Sequence, residues 1–268
     1  MQDYKPPADS GDEGGDDAAA DVAAGSGGSD GEAADAAAGG SKAAKPRRKR
    51  GQKLSSLEFE ASRQMARQIG ECSAEDQADW LWSSFQQHAA ASGLERGGLA
   101  ESGVAALPAQ GSLEERLKGL AAAGGWQAAF CSREGPAGAP ALLLVSPSAI
   151  GAVNLIKLCP QFNRACRIGK LFAKHFKVAE QEEALRSQVM CIAAGTPNRL
   201  CKLADGGALR LDRLAHVVLD VQLDVKQRDL LSIPETRADW WTFYERHLKQ
   251  RVDAGSLKLS LVNSDRLA

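Results

Sequence analysis

From Gly125 onward the chain alternates short apolar runs with amphipathic stretches, and this rhythm limits the folds open to it. The runs are Ala128–Cys131, Ala141–Val145, Ile168–Phe172, Met190–Ala194, Val217–Val221 and Leu257–Val262. Between them lie helical patterns near Ala149–Leu158, Ala179–Ser187 and Pro197–Leu203, and a long one from Pro234 to Asp253. Short apolar runs alternating with helices predict βαβ units, and so a parallel sheet covered on both faces. Pro197 and Pro234 stand where proline suits a first helical position. Gly255 stands where a glycine closes a helix.

Upstream of this region the pattern is helical. Leu57, Met65 and Ile69 can share one helix face, and Trp80, Leu81 and Phe85 another. Ser73 with Asp76, and Ser112 with Glu115, are capping-box signatures, the latter opening a short helix through Leu113, Leu117 and Leu120. Residues 93–111 read as loop. The expected division is a tail over 1–53, a helical extension over 54–111 and an α/β domain over 112–268.

A formal net charge of −1 hides two opposed segments. Residues 1–40 carry ten acidic residues against Lys5 alone, with too little apolar surface to offset the entropy of ordering, so disorder is expected. Residues 42–53 hold seven basic residues and no acid. Within them, Lys45, Arg47, Arg48, Lys49 and Arg50 read as a nuclear import signal or a nucleic-acid patch, against the plainer reading of a solvated linker. From Leu54 onward, 25 basic residues face 24 acidic ones.

The acidic start has no apolar run of the secretory kind, and Ala139–Val145 is too short to span a bilayer. A soluble intracellular chain without membrane contact is expected. The six cysteines include no C-x-x-C pair and the four histidines are scattered, so no metal site is expected and the thiols read as small hydrophobes.

Catalytic motifs fail on inspection. Gly27-Gly28-Ser29-Asp30-Gly31 matches a nucleophile-elbow pattern but lies in the acidic tail, away from any strand-to-helix turn. The nearest approach to a phosphate-cradling P-loop is Gly169-Lys170, followed by Leu171 and preceded by Arg164 where a glycine is needed. Neither a nucleotide, another cofactor nor a small-molecule substrate is expected.

Two positive features remain. Arg167, Lys170, Lys174, His175 and Lys177 cluster around Leu171, Phe172 and Phe176, which is either a solvated strand edge or a phosphate contact. Trp240, Trp241, Phe243 and Tyr244 crowd the last helix, and two adjacent tryptophans cannot share one face, so one is expected to be exposed.

The block Ala194-Gly195-Thr196-Pro197-Asn198-Arg199-Leu200, followed by Val218-Leu219-Asp220-Val221, resembles the T-P-G-R and D-E-A-D blocks of DEAD-box RNA helicases. Gln181 and Leu185 fall where that family has Q-x-x-x-L, and Ser146-Pro147-Ser148 falls where it has P-T-R. The resemblance implies a RecA-like, doubly wound parallel sheet of the P-loop-NTPase type. It also implies lost catalysis, because Val221 replaces the glutamate after Asp220 and no P-loop lysine exists.

The sequence is also similar to the Cms-one family, subunits of the early pre-ribosome containing U-three RNA. The similarity rests on Ser148-Ala149-Ile150, Lys170–Val178, Gly195-Thr196-Pro197 with Arg199, Ile233-Pro234-Glu235 with Arg237, and Ser256–Leu259. That resemblance implies a non-catalytic nuclear and nucleolar factor whose partners are pre-ribosomal RNA, small-subunit assembly proteins or both. Thr196, Arg199, Lys170, Lys174 and Lys177 are the implied RNA contacts. The rival readings are an RNA-dependent ATPase or helicase subunit with an unconventional site, and a protein scaffold without RNA affinity.

Overall fold

Five of the six apolar runs form strands: β1 (Leu142–Val145), β2 (Gly169–Leu171), β3 (Ile192–Gly195), β4 (His216–Asp220) and β5 (Lys258–Val262). All pair in parallel in one sheet, in the order β2-β3-β1-β4-β5. The computed structural model describes residues 64, 67–89, 96–121 and 124–267. The acidic segment, the basic run Lys45–Arg50 and the helix expected through Leu57 and Met65 lie outside the described residues.

The sixth run is a correction. Ala128–Cys131 falls largely in a short helix, Gly125–Phe130, entered through Gly125 at φ 80°. Alanine is the best helix former, and of this segment only Phe130 is fully buried, so one inward anchor on a helix suffices.

The helices, in chain order, are α1 (Ala74–Ala89), α2 (Leu113–Lys118), α3 (Gly125–Phe130), α4 (Ala149–Lys157), α5 (Pro160–Cys166), α6 (Val178–Ser187), α7 (Pro197–Asp205) and α8 (Pro234–Phe243). A single π turn, Tyr244–Leu248, leads into α9 (Lys249–Asp253), and Gly255 at φ 71° follows it.

All of β1 and β3 and all but the first residue of β4 and β5 are buried, whereas in the edge strand β2 only Leu171 is, and successive residues feed opposite layers. Leu142, Leu144, Ile192, Ala194 and Val218 pack with Leu113, Phe130, Leu155 and Phe162 from α2–α5. Leu143, Val145, Ala193, Val217 and Leu259 pack with Leu81, Phe85, Leu185, Leu200, Trp240 and Trp241 from α1, α6, α7 and α8. The result is three layers, helix–sheet–helix.

Helix α1 belongs to this core. Its Phe85 ring lies 5.0 Å from the Trp241 ring and 5.9 Å from Tyr244. The expectation of an exposed tryptophan is therefore overturned: Trp240 and Trp241 are both fully buried. Helix α8 is covered on more than one side, packing on α7 and on α1. Trp241 Nε1 donates to Ser84 Oγ of α1 at 3.1 Å, meeting the polar need of a buried indole.

Beyond β5 the sheet is extended by one bridge, Val104 to Leu259, and Ala105 N–H donates to the Leu259 carbonyl at 2.8 Å. Ser260 Oγ donates to the Ala105 carbonyl at 2.6 Å. The 96–111 loop is thus seated on the sheet edge it would otherwise leave open.

At the other edge, Gly195 lets β2 and β3 close up where their ends meet. A Cβ there would lie 2.4 Å from the Leu171 carbonyl oxygen and 2.9 Å from Leu200 Cδ2. Gly195→Ala should cost about 1–3 kcal/mol through this overpacking. The check is urea unfolding, with a lowered midpoint and an unchanged slope.

Candidate nucleic-acid interface

In open parallel sheets, ligands sit outside the carboxyl ends of the strands, where loops rather than ladders face solvent. Here those ends gather Ser146, Leu171, Thr196 and Val221. Thr196 N–H donates to the Leu171 carbonyl at 3.2 Å, which ties the β3 exit to the β2 exit. Thr196 is half-buried, and its side chain makes no capping bond to α7. Pro197 fills the first turn, where an amide donor would otherwise need a partner.

Lys170, Lys174 and Lys177 are all exposed along the segment from β2 to α6. Lys177 N–H donates to Glu180 Oε2 at 3.2 Å, so the helix start fixes the lysine backbone while the ammonium stays in water. Ala173, Lys174 and His175 make the turn, with His175 at φ 65°, a left-handed conformation uncommon outside glycine.

Arg199 does not present itself as the sequence suggests. It is only 8% exposed, and its Nη1 donates to the Phe176 carbonyl at 3.1 Å and to Gln181 Oε1 at 2.6 Å. Gln181, also buried, donates from Nε2 to the carbonyls of Lys170 at 2.8 Å and Phe172 at 3.2 Å. A charged group desolvated to this degree needs such partners. Arg199 and Gln181 therefore hold the basic loop in place, and Arg199 is a positioning residue rather than a surface contact.

Asp220 is likewise inward. It is fully buried at the end of β4, and its Oδ1 accepts from the backbone N–H groups of Gln222 and Ser264, both at 3.1 Å. Ser264 Oγ donates to Oδ2 at 2.8 Å. Burial pushes the Asp220 carboxyl up to about 6, against these hydrogen bonds, which pull it down. The next residue, Val221, is buried and bonds through its N–H to the Val262 carbonyl at 2.8 Å. This pair fastens β4 to the β5 exit.

A strand-like segment, a loop and a helix run from Val104 to Lys118 beside β5. Such a junction holds phosphate when its amides are free. Here Glu115 Oε2 accepts from Ser112 N–H at 2.9 Å, and Ser112 Oγ accepts from Glu115 N–H at 3.3 Å. Arg116 is buried and donates to the loop carbonyls of Gly111, at 2.9 Å, and Ala109. The loop is closed by its own side chains.

Sequence spacing missed what folding brings together. Cys201, Asp205 and His247 place ligating atoms within 4.8 Å of one another, but Arg246 Nη1 sits 3.1 Å from the same Asp205 carboxylate and His247 Nε2 2.8 Å from it. An arginine on the central ligand makes this an ion-pair cluster. A groove of about 370 Å³ between α4 and the 170–176 loop was also unforeseen, because its walls are about twenty residues apart in sequence.

Residues 121–261, covering β1 to β4 and all but the last residue of β5, match the family described as "CMS1: U3-containing 90S pre-ribosomal complex subunit". The chain belongs to the CMS1 family. Protein CMSS1 of Danio rerio is 38% identical over 121 residues, which is 45% of this chain and 42% of that protein. Protein CMSS1 of Homo sapiens is 35% identical over 121 residues, 45% and 43% of the two chains. Protein CMS1 of Chaetomium thermophilum is 38% identical over 101 residues, 37% and 40%. The chain thus spans about two fifths of the length of the curated relatives it matches. Helices α1 and α2 both fall before the residues that match the CMS1 family.

Asp220 gives a test of this strand-end architecture. Its carboxyl holds a proton to a higher pH when folded than the roughly 3.9 of an unfolded aspartate. Its stabilising contribution is therefore complete below about pH 4 and is lost as pH rises through about 6. Asp220→Asn, which keeps an acceptor for both amides, should flatten that part of the profile. Urea unfolding from pH 4 to 7 checks it; the same slope in both proteins would assign the dependence to another group.

Proposed function

We propose that this chain is a non-enzymatic factor of the early small-subunit pre-ribosome, nuclear and nucleolar, that holds RNA along the carboxyl edge of its parallel sheet. The observation that carries the proposal is the row Lys170, Lys174 and Lys177, exposed and set by the buried Arg199–Gln181 pair beside Thr196. Ammonium groups at the rim of a rigid edge suit phosphate contacts, which position a nucleic acid without reading its sequence. The CMS1 family description supports the pre-ribosomal setting. The basic run Lys45–Arg50 supplies the import signal in this reading.

The core is best understood as a helicase-type RecA-like domain that has given up its nucleotide site. Supporting this are the inward Asp220, the buried Val221 in place of an acid, and the loop of Gly111 and Ser112 closed by Glu115 and Arg116. The rival ATPase reading would need that loop to open and two side chains to leave. Titration of the full chain with labelled ATP and magnesium should show no saturable binding. Micromolar binding abolished by Asp220→Ala would revive the rival.

RNA binding should be modest and steeply salt-dependent. Three lysines on single-stranded phosphates contribute about two units of log–log salt slope. Replacing Lys170, Lys174 and Lys177 together with Ala should remove about that much, with the fold intact by thermal unfolding. The same variant should sediment less with large pre-ribosomal particles from nuclear extract. An unchanged slope and unchanged sedimentation would favour a protein scaffold without RNA affinity.

A further inference from the structure

The groove between α4 and the 170–176 loop is lined by Ile150, Val153, Lys157, Lys170, Phe172 and Phe176 among others. Its α4 wall is the stripe at positions 149, 150, 153, 154 and 157, one face of a helix. Of four exposed large hydrophobics among the described residues, two stand here: Ile150, 64% exposed, and Phe176, 36% exposed. Phe172 packs edge-on to Phe176 with centroids 5.8 Å apart and is itself buried, so it backs the exposed ring. Lys157, Lys170, Lys174 and His175 complete the lining, which contains no carboxylate.

We infer that this groove takes unpaired RNA bases, stacking one on Phe176 while the flanking phosphates lie on Lys170, Lys174 and Lys157. The inference rests on the proposed function and makes it more specific, from phosphate contact to single-strand recognition. A single strand repeats one negative charge and one flat ring per nucleotide, and the groove offers both complements at close quarters. Phosphate binding alone would need only the lysines and leaves the exposed ring and the exposed isoleucine without a role. An acidic helical peptide would want a deep pocket for an anchor side chain. Here Phe172 is buried in the lining, and the exposed apolar groups are Ile150 and Phe176.

The backbone that carries the ring is also held, and the ring itself packs on Phe172. The Phe176 carbonyl accepts from Arg199, and its N–H donates to the Ala173 carbonyl at 3.2 Å. The left-handed backbone at His175 turns the chain just before it. A preset ring loses little on stacking.

The test uses the full chain and three fluorescein-labelled probes: a uridine-rich 12-mer RNA, the same strand with abasic residues at its centre, and the 12-mer in a duplex. Anisotropy at low salt should rank the intact single strand first. Phe176→Ala should weaken it on the order of ten-fold while leaving the abasic strand and the duplex unchanged. Phe176→Trp should restore it. Ile150→Ala, on the opposite and more exposed wall, should show the same selectivity with a smaller loss, which guards against a folding defect at residue 176. Equal losses on intact and abasic strands, or none on either, would overturn base stacking. Tight binding of an acidic, leucine-containing peptide that Phe176→Ala abolishes, with RNA binding untouched, would make the groove a protein-docking site instead. Absence of RNA binding by the parent chain would bring down the proposed function together with this inference.

Discussion

Arg199 donates from the first turn of α7 to the Phe176 carbonyl and to Gln181, which donates in turn to the carbonyls of Lys170 and Phe172. Three of these four bonds end on carbonyls of the loop and the fourth joins α6 to α7, so both ends of the loop are fastened to this pair of helices. The loop otherwise has little of its own to hold it, since β2 is three residues long and sits at a sheet edge. A hydrogen bond to a charged group contributes about 1.5–3 kcal/mol net, and a buried partner left unpaired costs a similar amount. A buried cation, not an exposed one, therefore organises the basic edge. The exposed lysines are free to meet phosphate at no cost to that order.

The same economy appears at the other strand exits. Asp220 spends its oxygens on Ser264 and on two backbone amides, joining the β4 and β5 ends. Glu115 and Arg116 close the loop before α2. In each place a charged residue that could serve a ligand is turned to internal bonding. Lys170, Lys174 and Lys177, by contrast, stay outward-facing beside the groove.

Much of this was legible in the sequence, for identifiable reasons. Leu142–Val145 and Val217–Leu219 are buried on both faces, so their residues had to be apolar throughout, and runs of that kind are read directly. Ser112 and Glu115 form the expected reciprocal cap because both halves are local. Ala128–Cys131 was misread because a four-residue apolar run does not distinguish a strand from a single helical turn. The two tryptophans were misread because helical periodicity assumes one covered face, whereas α1 covers a second face of α8. Arg199 looked like a surface contact because sequence records its charge and not the carbonyls that 18 and 23 residues of intervening chain bring back to it.

A sheet edge with three lysines and one groove makes a small footprint for an RNA contact. Such a contact neutralises few phosphates, and its affinity falls quickly at physiological salt. Stable residence in a large particle then requires a second attachment, whose gain comes from effective concentration rather than from a tighter groove. The basic run at 45–50 and the surface of α1 are separate in sequence from the sheet edge, so either can act as that second point without competing for the same phosphates. On the proposed reading, a weak single-strand site joined to another weak site on the same chain would hold best where both ligands occur together. That condition would suit the pre-ribosomal role proposed for this chain.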